Sequence, residues 1–465
     1  MKKTLCLLLV CLLLLPLLAC GKEAAPETAA LQVGFGRVDI TPDSPMPLDG
    51  YGQSEKRLHA NVLDKIYVSC VAVTDENDQT ILLMSADVTQ SRNHLDIRSQ
   101  VSYATGIPIE NILLAATHTH SSVDQGNSLA HRWIATYYTR SVEAAKAAME
   151  DRAPAEVYIG SGKTENMNFV RHYLMMDGTY AGDNFGNYEA GYKAHASDND
   201  PQLQVIKFVR TGEKKNILMV NWQGHPCITG GVARLDLSAD YIGGTRTFVE
   251  YQTKDHFIYF LGASGNQNVK TYLPNEPAPP TDHNAFGAQL GQVVLDATNN
   301  MTKAEIGPIR VTKHTFVGQV DHSGDHLTEE ARQVTELYNR TDRATANALA
   351  HELGLSSVYH ASSILGKVNM EQTRELELYA VSVGSLSFAG VPYEMFADHG
   401  MYIKENSPAE MTFVMTCCNG TNTYIPTAFA YDYRCYESCV GYFTRGTGEI
   451  LAEKYVELLT AHHTN

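Results

Sequence analysis

Five short apolar runs in this chain each stop at a polar residue beside glycine, proline or a polar turn. Residues 80–86 stop at Asp87 and 112–116 at His118 and His120. Residues 217–222 stop at His225, 256–262 at a loop that reaches Asn268, and 386–390 at Glu394. Each run reads as a strand, as do 31–40, 66–74, 155–160, 203–209, 376–384 and 413–417. Between them, apolar residues at helical spacing mark helices at 95–105, 134–149, 239–252, 284–298 and 449–460. The polar stretch 327–354 reads as a solvated helix or helix pair. This alternation calls for a mixed α/β (α+β) fold of β-sheets flanked by helices. Strand ends gathered at one sheet edge leave a crevice, and crevices of that kind hold ligands.

The first twenty residues stand apart. Lys2 and Lys3 precede an apolar run, 5–18, that is short for a bilayer span. Leu17-Leu18-Ala19-Cys20 has the form of a bacterial lipobox, with Cys20 as the lipidated residue. We therefore expect a lipoprotein signal peptide over 1–20, a polar tether over 21–32 and a single domain over 33–465. That domain is expected in the cell envelope, held to a membrane by its N-terminal lipid. No repeat or low-complexity tract divides it. A chain of 465 residues, 44% hydrophobic, can bury a large core. Its net charge of -16 leaves no basic surplus for phosphates and excludes a nucleic-acid partner. Outside the signal peptide and Cys20, six cysteines remain. Cys417 and Cys418 lie close in sequence to Cys435 and Cys439, which allows a bridge there; buried thiols are the alternative.

On an extended chain His118 and His120 share one face. They can give two nitrogens to one metal, or one ligand and one proton carrier; two surface histidines in a polar turn are the alternative. His225, Glu394 and the phenol of Tyr424 are further metal-competent groups, each with a structural alternative: a strand cap, an acidic first-turn residue and core packing. Arg171 has the alternative of pairing with a surface carboxylate. No H-E-x-x-H occurs, and Ser264 lacks a nucleophile elbow.

Taken in order, the motifs carry a resemblance. They are Gly34-Phe35-Gly36-Arg37-Val38-Asp39-Ile40-Thr41-Pro42, Ala116-Thr117-His118-Thr119-His120-Ser121, Asn221-Trp222-Gln223-Gly224-His225-Pro226, Ser238-Ala239-Asp240-Tyr241 and Pro392-Tyr393-Glu394. This series resembles the catalytic domain of the neutral/alkaline (non-lysosomal) ceramidases, from about Val33 to the last helix. The resemblance implies one large catalytic domain, without the immunoglobulin-like C-terminal domain of full-length members. It implies a Zn2+-dependent amidohydrolase that cleaves the N-acyl bond of ceramide or a related lipid. Zinc ligands would fall on His118, His225, Glu394 and Tyr424. His120 would stand outside them as a proton carrier, Arg171 would be the active-site arginine, and Tyr436 would steady the oxyanion. A serine usual in the family is Asn268 here, which excludes a serine-based mechanism and leaves an amide to bind substrate. The loop after the paired histidines, Ser121-Ser122-Val123, also departs from the family's Ser-Gly-Pro. A same-fold hydrolase of another small amide or ester, and an inactive surface-binding lipoprotein, are the other readings.

Overall fold

A computed structural model describes residues 31–464 except Val232 and Thr421. The expected signal peptide, Cys20 and most of the tether lie outside the described residues.

Eight strands form the spine of a large mixed sheet: β1 (Leu31–Asp39), β2 (Tyr67–Thr74), β3 (Thr80–Ala86), β4 (Ile112–Ala116), β5 (Ala153–Lys163), β6 (Gln202–Arg210), β7 (Ile217–Trp222) and β8 (His256–Leu261). Their order is β8-β7-β6-β5-β1-β2-β3-β4, and the short strand Thr302–Lys303 adds to β5. β7/β8 and β3/β4 are parallel pairs; the other neighbours are antiparallel. A second sheet has the order β9 (Ile309–Gln319), β10 (Thr373–Val383), β11 (Leu386–Gly390), β12 (Met411–Met415).

The two sheets face each other across one apolar core, and the strand period decides which residues enter it. In β2, Val71 and Val73 point into that core, while Cys70 and Ala72 point outward to a helical layer. Helices α1 (His94–Thr105) and α2 (His131–Glu150) cover one half of the large sheet's outer face; α3 (Asp240–Thr253) and α4 (His283–Thr298) cover the other. Between β9 and β10 the chain inserts α5 (Thr328–Arg340), α6 (Arg343–Glu352) and α7 (Val358–Lys367). Helices α8 (Ala397–Asn406) and α10 (Thr447–His463) cover the small sheet, and the short α9 (Tyr436–Val440) lies between them in sequence. The result is four layers, helix–sheet–sheet–helix. No helix among the described residues is long and apolar enough to cross a membrane.

What positions the site is the curl of the large sheet. Its two ends approach each other: Ser85 of β3, the neighbour of the edge strand β4, donates to the Tyr259 carbonyl of the edge strand β8 at 2.6 Å. The chain leaving β12 closes the remaining gap. Thr416 N donates to Leu261 O at 2.9 Å, and Ala116 N donates to Cys417 O at 3.1 Å. The C-terminal ends of β4, β7, β8, β11 and β12 thereby meet at one place.

Three features differ from the sequence reading. All six cysteines are free thiols, because the two pairs pack in different surroundings. Cys418 lies in the core between the sheets, Cys417 faces His118, and Cys435 packs with Phe185 and Phe396. The stretch 327–354 is not merely solvated. Ala331, Val334, Ala346 and Ala350 join Val358 and Ile364 of a third helix in a core of their own, and small alanines hide such a face in a polar pattern. Strand β9 was not expected, since it is a partly exposed edge strand with polar residues through most of its length.

The motif Gly34-Phe35-Gly36 has a packing cause. A Cβ on Gly34 would lie 2.0 Å from Ala148 O, and one on Gly36 2.1 Å from Ala144 O, because α2 rests directly on β1. Gly36→Ala is therefore expected to cost about 3 kcal/mol or more in urea unfolding, as overpacking does; a change under about 1 kcal/mol would contradict this contact.

Candidate metal centre

Each element of the site is delivered by a strand end. β4 stops at Ala116, and His118 then takes a left-handed φ of 68°. A histidine held there is strained by about 1–3 kcal/mol, and such strain concentrates at functional sites. The two histidines thus converge through a turn, not through the alternation of an extended strand. The His120 amide donates to Pro226 O at 3.0 Å, tying this turn to the His225 loop. The His225 amide donates to Gln267 O at 3.1 Å. Glu394 follows β11 and pairs in register with Tyr424, in a two-residue parallel ladder.

Three imidazole nitrogens meet. His118 Nε2 lies 3.1 Å from His225 Nε2 and 3.3 Å from His120 Nε2, and His120 and His225 are 3.0 Å apart. Glu394 Oε2 is 3.2 Å from His118 Nε2 and has no hydrogen-bond partner of normal geometry among the described residues. The other ring nitrogens separate the three. His118 Nδ1 donates to Thr89 O at 2.6 Å, and His225 Nδ1 donates to Ser264 O at 3.3 Å. Those bonds fix the tautomer and leave both Nε2 atoms as bare lone pairs. His120 Nδ1 is buried beside the Gly50 backbone and makes no well-formed hydrogen bond among the described residues.

Bare lone pairs facing one another repel, and a buried carboxylate oxygen without a donor is costly. A cation at their meeting point answers both. The spacing suits one: metal–nitrogen bonds of about 2.0–2.1 Å in a tetrahedral site put two nitrogens about 3.3 Å apart. The electrostatics agree. Without a cation, a proton on His118 Nε2 would take that place: burial opposes it, but Glu394 and Cys417 outweigh burial and raise the imidazole well above its usual range. Burial and the charge on His118 drive His120 and His225 well below it. The cluster favours a positive charge at its centre. His118, His120 and His225 are a candidate metal-binding group by the proximity of their ligand atoms.

Above this floor lies a cavity of about 330 Å³, lined in part by His120, His225, Arg171, Asn268, Tyr424 and Tyr436. Arg171 is not a surface pair. Its Nε donates to Glu437 Oε1 at 2.8 Å, and the other oxygen of Glu437 accepts from His172 Nε2 at 2.8 Å. The guanidinium lies 5.4 Å from the centre of the Tyr424 ring, which fixes that ring by a cation–π contact. Burial, followed by Glu394, pushes the Tyr424 phenol well above its ordinary range; burial and Tyr359 do the same for Tyr436. Tyr436 sits edge-on to Tyr424 at 5.9 Å. Asn268 donates to Asp183 at 3.1 Å, and its carbonyl oxygen accepts from the Cys227 thiol.

Two other acids, Asp87 at a strand end and Asp240 at the start of α3, serve the frame instead. Asp87 takes a bidentate bond from Arg246 of α3, and Asp240 accepts from the amide and hydroxyl of Thr229. Glu437 and His172 were missed, although each adjoins a residue that was singled out. His172, Cys435 and Glu437 also form a metal-competent group, but both oxygens of Glu437 are occupied by Arg171 and His172.

Comparison with solved structures places the fold. Neutral ceramidase from Pseudomonas aeruginosa superposes with a TM-score of 0.69 at 15% identity, over 93% of this chain and 74% of that one. A ceramidase complexed with C2 gives 0.67 at 16% identity, over 94% and 75%. The chain has a ceramidase-like fold. No family model and no curated protein sequence matches it.

Folding lowers the Glu437 carboxyl from 4.5 to about 2; burial opposes this, and His172 and Arg171 prevail. Its contribution to stability is therefore complete above pH 4.5 and lost as pH falls toward 2. Glu437→Gln is expected to cost about 3–5 kcal/mol in urea unfolding at pH 7, because it leaves Arg171 buried and uncompensated. The gap between variant and parent should narrow below pH 4. A gap that does not change with pH would contradict the ionised pair.

Proposed function

We propose that the protein is a zinc-dependent hydrolase that cleaves an acyl–nitrogen bond. One observation carries this reading: the bare Nε2 atoms of His118 and His225 meet the unpartnered Glu394 Oε2 beneath a cavity. Nitrogen and oxygen donors of this kind suit zinc, and a three-ligand site with room for water is the catalytic form. His118, His225 and Glu394 hold the ion, with Tyr424 as the further donor beside Glu394. Zinc bound there supplies Lewis acidity, which polarises the acyl carbonyl and makes water a nucleophile near neutral pH.

The chain's own residues do the rest. His120, kept neutral by burial and the charge on His118, takes the proton from the attacking water and passes it to the departing amine. Tyr436 remains protonated and donates to the oxyanion as charge develops. Arg171, neutralised by Glu437, orients Tyr424 and keeps a positive potential at the wall. The carbon–oxygen bond to water forms, the carbon–nitrogen bond breaks, and the products are a carboxylic acid and an amine.

For the substrate, the motif order and the ceramidase-like fold favour ceramide or a related N-acyl lipid. A lipid on Cys20 would keep such a site at a membrane surface of the cell envelope. A second reading, a small polar amide or ester, is favoured by the cavity wall. Its lining includes no Leu, Ile, Val, Met or Phe. Each buried methylene is worth about 0.8 kcal/mol, and this wall has little apolar surface to gain it with.

Metal analysis of the purified protein is expected to find one zinc per chain, and chelator is expected to lower the Tm. His118→Ala should lose both metal and turnover. His120→Gln should keep the metal and lose about 10²–10⁴-fold in kcat. Ser264→Ala should retain activity, because its part is a backbone carbonyl. A zinc-free protein indifferent to chelator would overturn the reading in favour of an inactive binding protein. Metabolic labelling with a fatty acid should mark the full chain, and Cys20→Ala should abolish the mark; labelling that persists would overturn the lipoprotein reading.

A further inference from the structure

The buried guanidinium groups of this region are answered by carboxylates or backbone carbonyls, and the half-buried Arg343 is not. Arg171 is paired with Glu437 and Arg246 with Asp87. Arg57 is held by the carbonyls of Leu48, Asp49 and Gly231. Arg343 lines the cavity from the start of α6, half-buried, and its one hydrogen bond among the described residues goes to the Tyr359 hydroxyl at 3.2 Å. It makes no ion pair with a carboxylate among the described residues. Burial opposes its charge, and the Tyr359, Tyr338 and Tyr436 phenols outweigh that.

The placement is built into the fold. The helical insert packs against the loop that forms the facing wall: Gln53 Nε2 donates to Tyr338 O at 3.1 Å, and a Cβ on Gly52 would meet the Tyr338 hydroxyl at 3.2 Å. Tyr359 in turn lies edge-on to Tyr436 at 5.8 Å, so Arg343 is connected by ring contacts to the residue proposed to hold the oxyanion. Lys270 adds a second cation to the lining, its ammonium over the Tyr272 ring at 5.2 Å. Three cationic side chains, Arg171, Lys270 and Arg343, thus line the cavity against one carboxylate, Asp183. This occurs in a chain whose net charge is -16. A guanidinium left with phenols alone is incompletely satisfied, and its planar fork matches an oxyanion.

We propose that the substrate is a short acyl amide or ester bearing an oxyanion a few atoms from the scissile carbonyl, and that Arg343 with Tyr359 recognises that oxyanion. This rests on the hydrolase reading of the same site and deepens its second substrate reading, the small polar amide or ester, against the lipid one. The shared chemistry is a carboxylate, phosphate or sulfate oxygen. Arg343 is a specificity residue and takes no part in bond breaking.

The test is calorimetric binding to the zinc-loaded protein, which needs no turnover. The probes are N-acetylglycine, succinamic acid and N-acetyl-phosphoethanolamine, each beside its uncharged counterpart: N-acetylglycinamide, succinamide and N-acetylethanolamine. At least one charged probe is expected to bind about tenfold or more tighter than its neutral partner, in line with a hydrogen bond to a charged group. Which pair shows the largest difference separates carboxylate on either side of the amide from phosphate. Arg343→Gln should erase the difference, and Arg343→Lys should restore part of it. If the bound probes are also hydrolysed, the Arg343→Gln effect should fall on KM more than on kcat. Equal or tighter binding of the neutral partners, a charge preference untouched by Arg343→Gln, or no binding of any probe at millimolar concentration would overturn the proposal. Binding with charge preference but no hydrolysis of any amide or ester would support this proposal while counting against the hydrolase reading.

Discussion

Two imidazoles are locked by backbone carbonyls into presenting bare nitrogens to each other, with a buried carboxylate oxygen beside them. That cluster is unfavourable unless positive charge sits in its middle. The architecture around it has to bring the parts together and hold them. The large sheet curls until its edge strands meet, the chain leaving β12 fills the seam, and four strand ends deliver His118, His225, Ser264 and Glu394 to one point. The left-handed backbone at His118 is the local strain of that delivery.

Around the cluster, the polar wall is kept rigid by charge neutralisation within the protein. Glu437 is wholly buried, which is tolerable because Arg171 and His172 occupy its two oxygens. Arg171 can then face the cavity as a fixed cation over Tyr424 without dragging a second carboxylate into the site. The insert of α5, α6 and α7 brings its own small core, so it can add Tyr359 and Arg343 to the rim without remodelling the sheets. A scaffold shared with ceramidases and a wall of hydroxyls and cations are independent features. The first brings the strand ends together at the candidate metal centre; the second lines the cavity above it.

Much of the frame was legible in the sequence because apolar runs and their polar ends follow local rules. The strands before His118, His225 and Glu394 end where the pattern said they would, and α1 stops at Gly106 with a left-handed φ. The curl of the sheet was not legible, because it depends on bonds such as Ser85 to Tyr259 between residues 174 apart. Glu437 escaped notice for a related reason: a carboxylate beside Tyr436 declares its role only when Arg171 and His172 arrive from 266 and 265 residues away. Arg343 sits in a polar helical pattern that gives no sign of which face meets a cavity. The cysteine pairs were close in sequence and lie in different cores, so proximity along the chain was a poor guide to pairing.

The account rests on a cation bound by nitrogen and oxygen alone, with Cys417 nearby but outside the ligand set, its sulfur 3.7 Å from His118 Nδ1. X-ray absorption at the zinc edge of the purified protein tests this most directly. Light-atom ligands at about 2.0–2.1 Å, with the outer scattering of at least two imidazoles, are the predicted result. A sulfur shell at about 2.3 Å, or a spectrum without imidazole scattering, would contradict it.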